Sequence, residues 1–392
     1  MSLQIALSAL QSINTQLDTI SNNIANTGTT GYKSSRTNFS AMYTGEAPNG
    51  VQAASRTQTL DIGGGLLSTG RNLDAAISGS GYFMVKDSTG ISNYTRAGVF
   101  DIDTSGNLVD HMGRSVQGYA MTPGSDALGA LGGLNVPTGQ IPAQASTNVE
   151  FVGNLSADWT TPTAAFDPTK ANSYNSSSVS VVYDSLGKQH SVTQYFVKTA
   201  NSNEVQVHYY NQGTEVGTHT LQFSNAGQLT TATSPTLTWT PDAADKVSVN
   251  FDYTGTTQYA GDTSTTINSA DGYASGSMVN VKVGEDGGID VQYSNGMKQR
   301  VGMLALASFR SESGLAAVDG TSWQATNASG VAVVGAPGTG QFSSLASGQL
   351  EQSNVEVATE LVDLMGAQRN YQANTKVIST QNDIMQSLMQ AM

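Results

Sequence analysis

The sequence predicts an α+β chain that is mainly β, with nested discontinuous domains: terminal helices forming a coiled-coil-like domain, and two outer β domains between them. Apolar residues recur every seven positions at both extremities. The stretch between them alternates short apolar runs with turns rich in Gly, Asn and Asp. The length of 392 residues exceeds one ordinary hydrophobic core, which asks for more than one domain.

The first element is a helix. Leu3, Leu10, Leu17 and Ile24 make one heptad row, and Ala6, Ile13 and Ile20 make a second row three positions on. Asn26, Gly28 and Gly31 then supply residues that tolerate left-handed backbone and stop a helix. The polar positions of this segment are uncharged, and Asp18 is the only charged side chain before Lys33, so salt bridges cannot select its partner. Neutral polar faces suit dense packing against neighbouring copies. The same periodicity also fits a helix pair buried within one globular domain.

Residues 33 to 80 read as irregular, with Gly63-Gly64-Gly65 as a flexible hinge. From Ala76 to Tyr119, strands alternate with the turns Asp87-Ser88-Thr89-Gly90 and Asp103-Thr104-Ser105-Gly106, predicting successive hairpins. A loop rich in Gly, Pro and Ala spans about 122 to 144. A separate β domain follows, with hairpins turning at Asp184 to Lys188 and at Asn211-Gln212-Gly213. Two further hairpins turn at Glu285-Asp286-Gly287-Gly288 and Asn295-Gly296.

The last element is a long helix from about Ser353 to the terminus. Its heptad row is Leu350, Val357, Leu364, Tyr371, Ile378 and Met385, with Leu361, Ala367 and Leu388 beside it. Ser353 and Glu356 have capping-box spacing, and Glu356, Glu360 and Asp363 complement the helix dipole. The order of elements implies nesting: residues 1–70 with 350–392 as the helical domain and its connector, 71–144 with 276–349 as a middle β domain, and 145–275 inserted. A narrow apolar stripe cannot hold a lone helix rich in Ser, Thr and Asn in water, so the ends are expected to order only in an assembly.

Composition narrows the function. A formal net charge of -13 and a sequence pI near 4.5 argue against nucleic acid as a partner. There is no cysteine, hence no disulfide, thiolate metal site or thiol nucleophile. No basic residue precedes Lys33 to form the n-region of a Sec signal, and no apolar run reaches the roughly 18 residues of a membrane span. The expectation is export by another route, without a cleaved Sec signal and without membrane insertion.

Asn22-Asn23-Ile24-Ala25-Asn26, followed by Thr30-Gly31-Tyr32-Lys33, resembles the N-terminal signature of the flagellar rod and hook axial protein family. Ile77 to Phe83 and Tyr94-Thr95-Arg96-Ala97-Gly98 resemble its next shared block. Leu350 to Glu356, and Ala367-Gln368-Arg369-Asn370-Tyr371-Gln372-Ala373-Asn374, resemble its C-terminal signature. Within the family, the insert, including Tyr183 to Gly187 and Tyr195 to Lys198, resembles that of hook subunits rather than of rod subunits. The resemblance implies a non-enzymatic subunit of a short curved tube that joins motor rod to filament and transmits torque. It implies the chain itself as partner, together with a distal rod protein, a hook cap protein, a hook–filament junction protein and the flagellar type III export apparatus. A distal rod subunit is the alternative within the family, and a secreted β-rich carbohydrate-binding adhesin the alternative outside it, given Trp159, Trp239 and Trp323.

Catalytic, cofactor and metal signals are weak. Asp101, Asp103 and Ser105 before Gly106 match the start of a calcium loop, but Met112 stands where its closing Glu belongs, and a hairpin turn is the better reading. His111, His190, His208 and His219 have no metal-ligand spacing. Gly63 to Gly65 lack the Lys-Ser or Lys-Thr of a P-loop.

Overall fold

The computed structural model describes residues 2–44, 47–122, 127–231, 234–241 and 244–391. Helix α1 spans Ser2–Ala25 and helix α2 spans Val357–Ala391, and the long elements between them are strands. The chain is therefore mainly β with a helix at each end, as its residue pattern predicts. Asn26 ends α1: its N–H is shared between the Asn22 and Asn23 carbonyls, and Thr27 bonds back only three residues, to Ile24. Two compact units follow from the contacts, one of residues 1–138, 280–291 and 298–392, the other of 139–279 and 292–297.

In the first unit, residues read as irregular form a long hairpin. Strand β1 (Ser35–Thr44) pairs antiparallel with strand β2 (Ala47–Gln58), from Ser35 opposite Gln58 to Thr44 opposite Ala47, with two register shifts. Both strands are rich in Ser, Thr, Asn and Gln on both faces, so the period-two apolar signal is missing. The hairpin lies along α1: Ser12 Oγ donates to the Val51 carbonyl at 3.1 Å, and the Val51 N–H donates to Ser8 Oγ at 3.3 Å.

The main sheet of this unit runs Lys298–Leu304, Ser115–Met121, Tyr82–Lys86, Ser92–Thr95, Ser322–Gln324 and Ala316–Val318. Tyr82, Tyr94, Phe309 and Trp323 pack beside it, edge to face at 4.7 to 6.0 Å between ring centroids. Part of the expected 122–144 loop is a strand, Leu128–Gly133, paired with Ser115–Met121. Its Leu-Gly-Ala-Leu-Gly-Gly sequence lacks the β-branched alternation that marks strands. Residues 123–126 of that loop lie outside the described residues.

The second unit has two four-stranded sheets. One is the antiparallel series Ser176–Tyr183, Gln189–Lys198, Glu204–Asn211 and Thr214–Gln222; the other orders Thr236–Trp239, Val247–Asp252, Asn148–Asn154 and Ser264–Ala270. Strict alternation of buried and half-exposed residues along Glu204–Asn211 turns one face to a shared core with Phe151, Phe196, Tyr209 and Phe251. A buried polar chain crosses this core, with Tyr209 and Tyr253 hydroxyls 2.7 Å apart and Gln194 Nε2 donating to Ser180 Oγ at 2.7 Å.

The hairpin turns share one local chemistry. Asp87, Asp103, Asp110 and Asp184 each accept, through Oδ1, the N–H groups two and four residues on. A glycine in the left-handed region follows three residues after each, with φ of +90°, +83°, +76° and +79°. Asp103, whose segment reads as a hairpin turn rather than a calcium loop, is thus engaged in its own turn, where Oδ2 also accepts from Asn107 at 3.0 Å.

Candidate assembly surface at the joined chain ends

The two heptad rows of α1 have different fates. Ala6, Ile13 and Ile20 are buried, Leu10, Leu17 and Ile24 are half-buried, and Leu3 is exposed. On α2, Ala367 is buried and Leu364 and Ile378 are half-buried, whereas Val357, Leu361, Tyr371 and Met385 are exposed. Ile13, Ile20 and Ala367 form a small apolar cluster flanked by Leu17, Ile24 and Leu364.

Leu350 does not belong to this helix. It sits in the strand Gln349–Glu351, paired with Leu66–Ser68, and α2 begins only at Val357. Asn354 explains the delay: its Oδ1 accepts from the Ser34 N–H at 2.7 Å, and its Nδ2 donates to the Thr59 and Ile62 carbonyls. Those bonds tie residue 354 to the segments near 34 and 59–62, and 352–356 stay outside the helix. Ser353 Oγ accepts from Val355 rather than capping at Glu356, and the first helical bond runs from Glu360 to the Glu356 carbonyl.

Most of α2 is left exposed by the described residues. Val362, Met365, Val377, Ile384, Leu388 and Met389 are all exposed, and so is every residue from 382 to 390. With 35 residues against 24, at about 1.5 Å per residue α2 runs well beyond the length of α1. A helix with this much uncovered apolar surface is a candidate interaction surface.

The family-signature residues separate into two groups. Asn23 is buried and fastens three segments: its Nδ2 donates to the Ser35 carbonyl and to Glu360 Oε1, both at 2.8 Å, while its Oδ1 accepts from the Ser35 N–H and the Tyr32 hydroxyl. Asn22 and Asn26 donate to carbonyls one turn back, Asp18 and Asn22. Ile24 and Ala25 complete the last turn of α1. Gln368, Arg369, Asn370 and Tyr371 lie exposed on α2.

Gly31, Tyr32 and Lys33 lead into a charged centre that the residue pattern did not foretell. Lys33, fully buried, donates to Glu351 Oε1 and to the Ile62 carbonyl, each at 2.6 Å. Arg96 Nη1 reaches Glu351 Oε2 at 3.2 Å, and its guanidinium lies 5.2 Å over the Tyr82 ring, whose hydroxyl donates to Glu312. Burial lowers the Lys33 pKa, opposed by the Glu351 hydrogen bond, and burial raises that of Tyr82. Three sequence blocks thus meet at one carboxylate, along with the glycine run. Gly64 donates its N–H to Glu351 Oε1 at 3.0 Å, and a Cβ there would stand 1.8 Å from the Gln352 carbonyl oxygen. Gly64, within the run read as a flexible hinge, serves close backbone approach.

Comparison with known proteins agrees with this layout. Residues 3–33 match the flagella basal body rod protein family, 76–157 the flagellar hook protein FlgE/F/G D1 domain, 154–273 the flagellar basal body protein FlaE D2 domain, and 346–391 the flagellar basal body rod FlgEFG protein C-terminal region. The chain is 35% identical to the flagellar hook protein FlgE of Salmonella typhimurium over 402 aligned residues, covering 99% of each. It is 34% identical to that of Escherichia coli, again over 99% of each, and 31% identical to that of Treponema pallidum, over 99% of this chain and 98% of the relative. The crystal structure of Helicobacter pylori flagellar hook protein FlgE2 shares the fold, with a TM-score of 0.56 at 14% identity over 74% of this chain and all of the other. With relatives above the 30% level along its whole length, the chain belongs to the flagellar hook protein family.

Proposed function

We propose that the chain is the structural, non-enzymatic subunit of a bacterial flagellar hook and polymerises through its terminal helices into a curved tube that passes torque from rod to filament. The uncovered apolar surface of α2 carries this reading: a single chain exposes Leu361, Met365, Ile384, Leu388 and Met389, and copies of the same helix are chemically suited to cover them. The seam of α1 and α2 is proposed as the innermost layer of the tube. Export through the flagellar type III path, and contacts with distal rod, cap and junction proteins at the tube ends, follow from family membership and complete the proposal.

The rod alternative is weakened by the D2 match at 154–273 and by hook proteins matching over the full length. The adhesin alternative is weakened by the tryptophans: Trp159 and Trp239 pack on the core of the second unit, and Trp323 is buried beside Tyr82. Purified chain carrying Leu17→Asp with Leu364→Asp is expected to stay monomeric in sedimentation while its β circular dichroism is unchanged. Polymers of wild-type length from that variant would overturn the seam as the assembly element. In cells, loss of this chain is expected to leave a rod without a hook; a missing distal rod would favour the alternative.

A further inference from the structure

Glu351 is 2% exposed, yet it serves three segments. Its Oε1 accepts from Lys33 Nζ at 2.6 Å and from the Gly64 N–H at 3.0 Å, its Oε2 from Arg96 Nη1 at 3.2 Å, and its carbonyl from the Gly31 N–H at 2.8 Å. Lys33 and Arg96 are themselves buried, and among the described residues Glu351 is the only carboxylate within ion-pair distance of either. Lys33 lies 318 residues before Glu351 and Arg96 lies 255 before it. A buried ion cluster is a poor way to gain raw stability, since apolar residues of similar volume do as well or better. It is an effective way to make one docking event depend on another, because removing one member strands the rest as uncompensated buried charges.

We infer that Glu351 is a latch that makes docking of the chain's beginning conditional on docking of its end. Until residue 351 is in place, burying Lys33 beside Arg96 sets two cations together with no described carboxylate at ion-pair distance, so the segment 31–35 stays undocked. It cannot then hold the start of β1 or the exit of α1. Reciprocally, without Lys33 the strand Gln349–Glu351 carries a buried carboxylate with half its compensation, and the entry to α2 loosens. An incomplete chain therefore cannot present a finished pair of terminal helices. This inference rests on the geometry of the triad and not on polymerisation, so a chain that never polymerises still tests it.

The test is amide hydrogen exchange on the purified full-length chain. In Glu351→Gln, exchange at Gly31 and Thr59 is expected to rise on the order of 100-fold, while strand 148–154 of the second unit is unchanged. In Lys33→Met, the same rise is expected at Gln352, whose N–H bonds the Gly65 carbonyl. If Glu351→Gln fails to fold, Lys33→Met alone carries the readout at Gln352. Faster exchange confined to 349–354 in Glu351→Gln means that the ends dock independently and overturns the latch. So does an unchanged Gln352 in Lys33→Met, or a uniform rise that includes 148–154.

Discussion

Gly31 takes a φ of +70°, and a Cβ there would lie 2.7 Å from the Ala97 nitrogen. Gly28, three residues earlier, has nothing within 4 Å of the same atom. Both glycines read alike in the sequence as helix stops, and only the fold tells them apart. Gly31→Ala is expected to cost about 2 kcal/mol, through strained backbone and contact with the neighbouring segment. Gly28→Ala is expected to stay within about 0.5 kcal/mol; equal urea midpoints for the two variants would refute this account. Asp184 gives a pH prediction. Burial pushes its carboxyl up, but the His190 ring and the N–H groups of Lys188 and Leu186 outweigh that, and the net pKa is lowered. A depressed folded pKa means that the unfolded chain binds the proton first as pH falls. Stability from Asp184 is therefore full above the unfolded value of about 3.9 and is lost as pH drops through the lower folded value. Asp184→Asn is expected to flatten the acid limb of stability against pH, followed by Trp159 and Trp239 fluorescence; an unchanged limb would remove Asp184 from the cause.

Leu364 and Leu388 sit on one helix in different surroundings, half-buried beside α1 and 57% exposed near the far end. If the uncovered face serves copies of the chain, Leu388→Asp should leave the urea midpoint of the lone chain within about 0.5 kcal/mol of wild type yet halt polymerisation in sedimentation. Wild-type polymers from this variant would assign that face another role. Elements were legible wherever their signal is local. The hairpins at Asp87, Asp103 and Asp184 were placed because the Asp carboxylate and the glycine three residues on form the turn without help from the rest of the fold. The β1–β2 hairpin was not, because its strands are polar on both faces and take their place from α1 through Ser8, Ser12 and Thr19. The heptad of α2 ran too far back for a related reason. Leu350 keeps the seven-residue spacing, but Glu351 and Asn354 commit its neighbourhood to bonds with residues near 31 to 64, which periodicity cannot register.

Across the whole chain, the triad could not be read from the sequence, because a contact spanning 318 residues leaves no mark on local pattern. Among the described residues, the apolar cluster of the second unit is drawn from Val149 through Tyr253, with flanking residues from Trp159 to Ala270. Both four-stranded sheets also close within 148–270. A fragment of residues 139–279 is therefore expected to fold alone and to unfold in one cooperative urea transition. Its last residues should fray, because Ser277 and Ala274 lose the bonds they accept from Ser294 and Asn295. The same transition should recur in the full chain, detectable through Trp159 and Trp239, apart from the transition of the unit that carries Trp323. A fragment with collapsed but non-cooperative structure would mean that this β unit depends on the remainder of the chain, and the insertion would have to be understood as one part of a single folding unit.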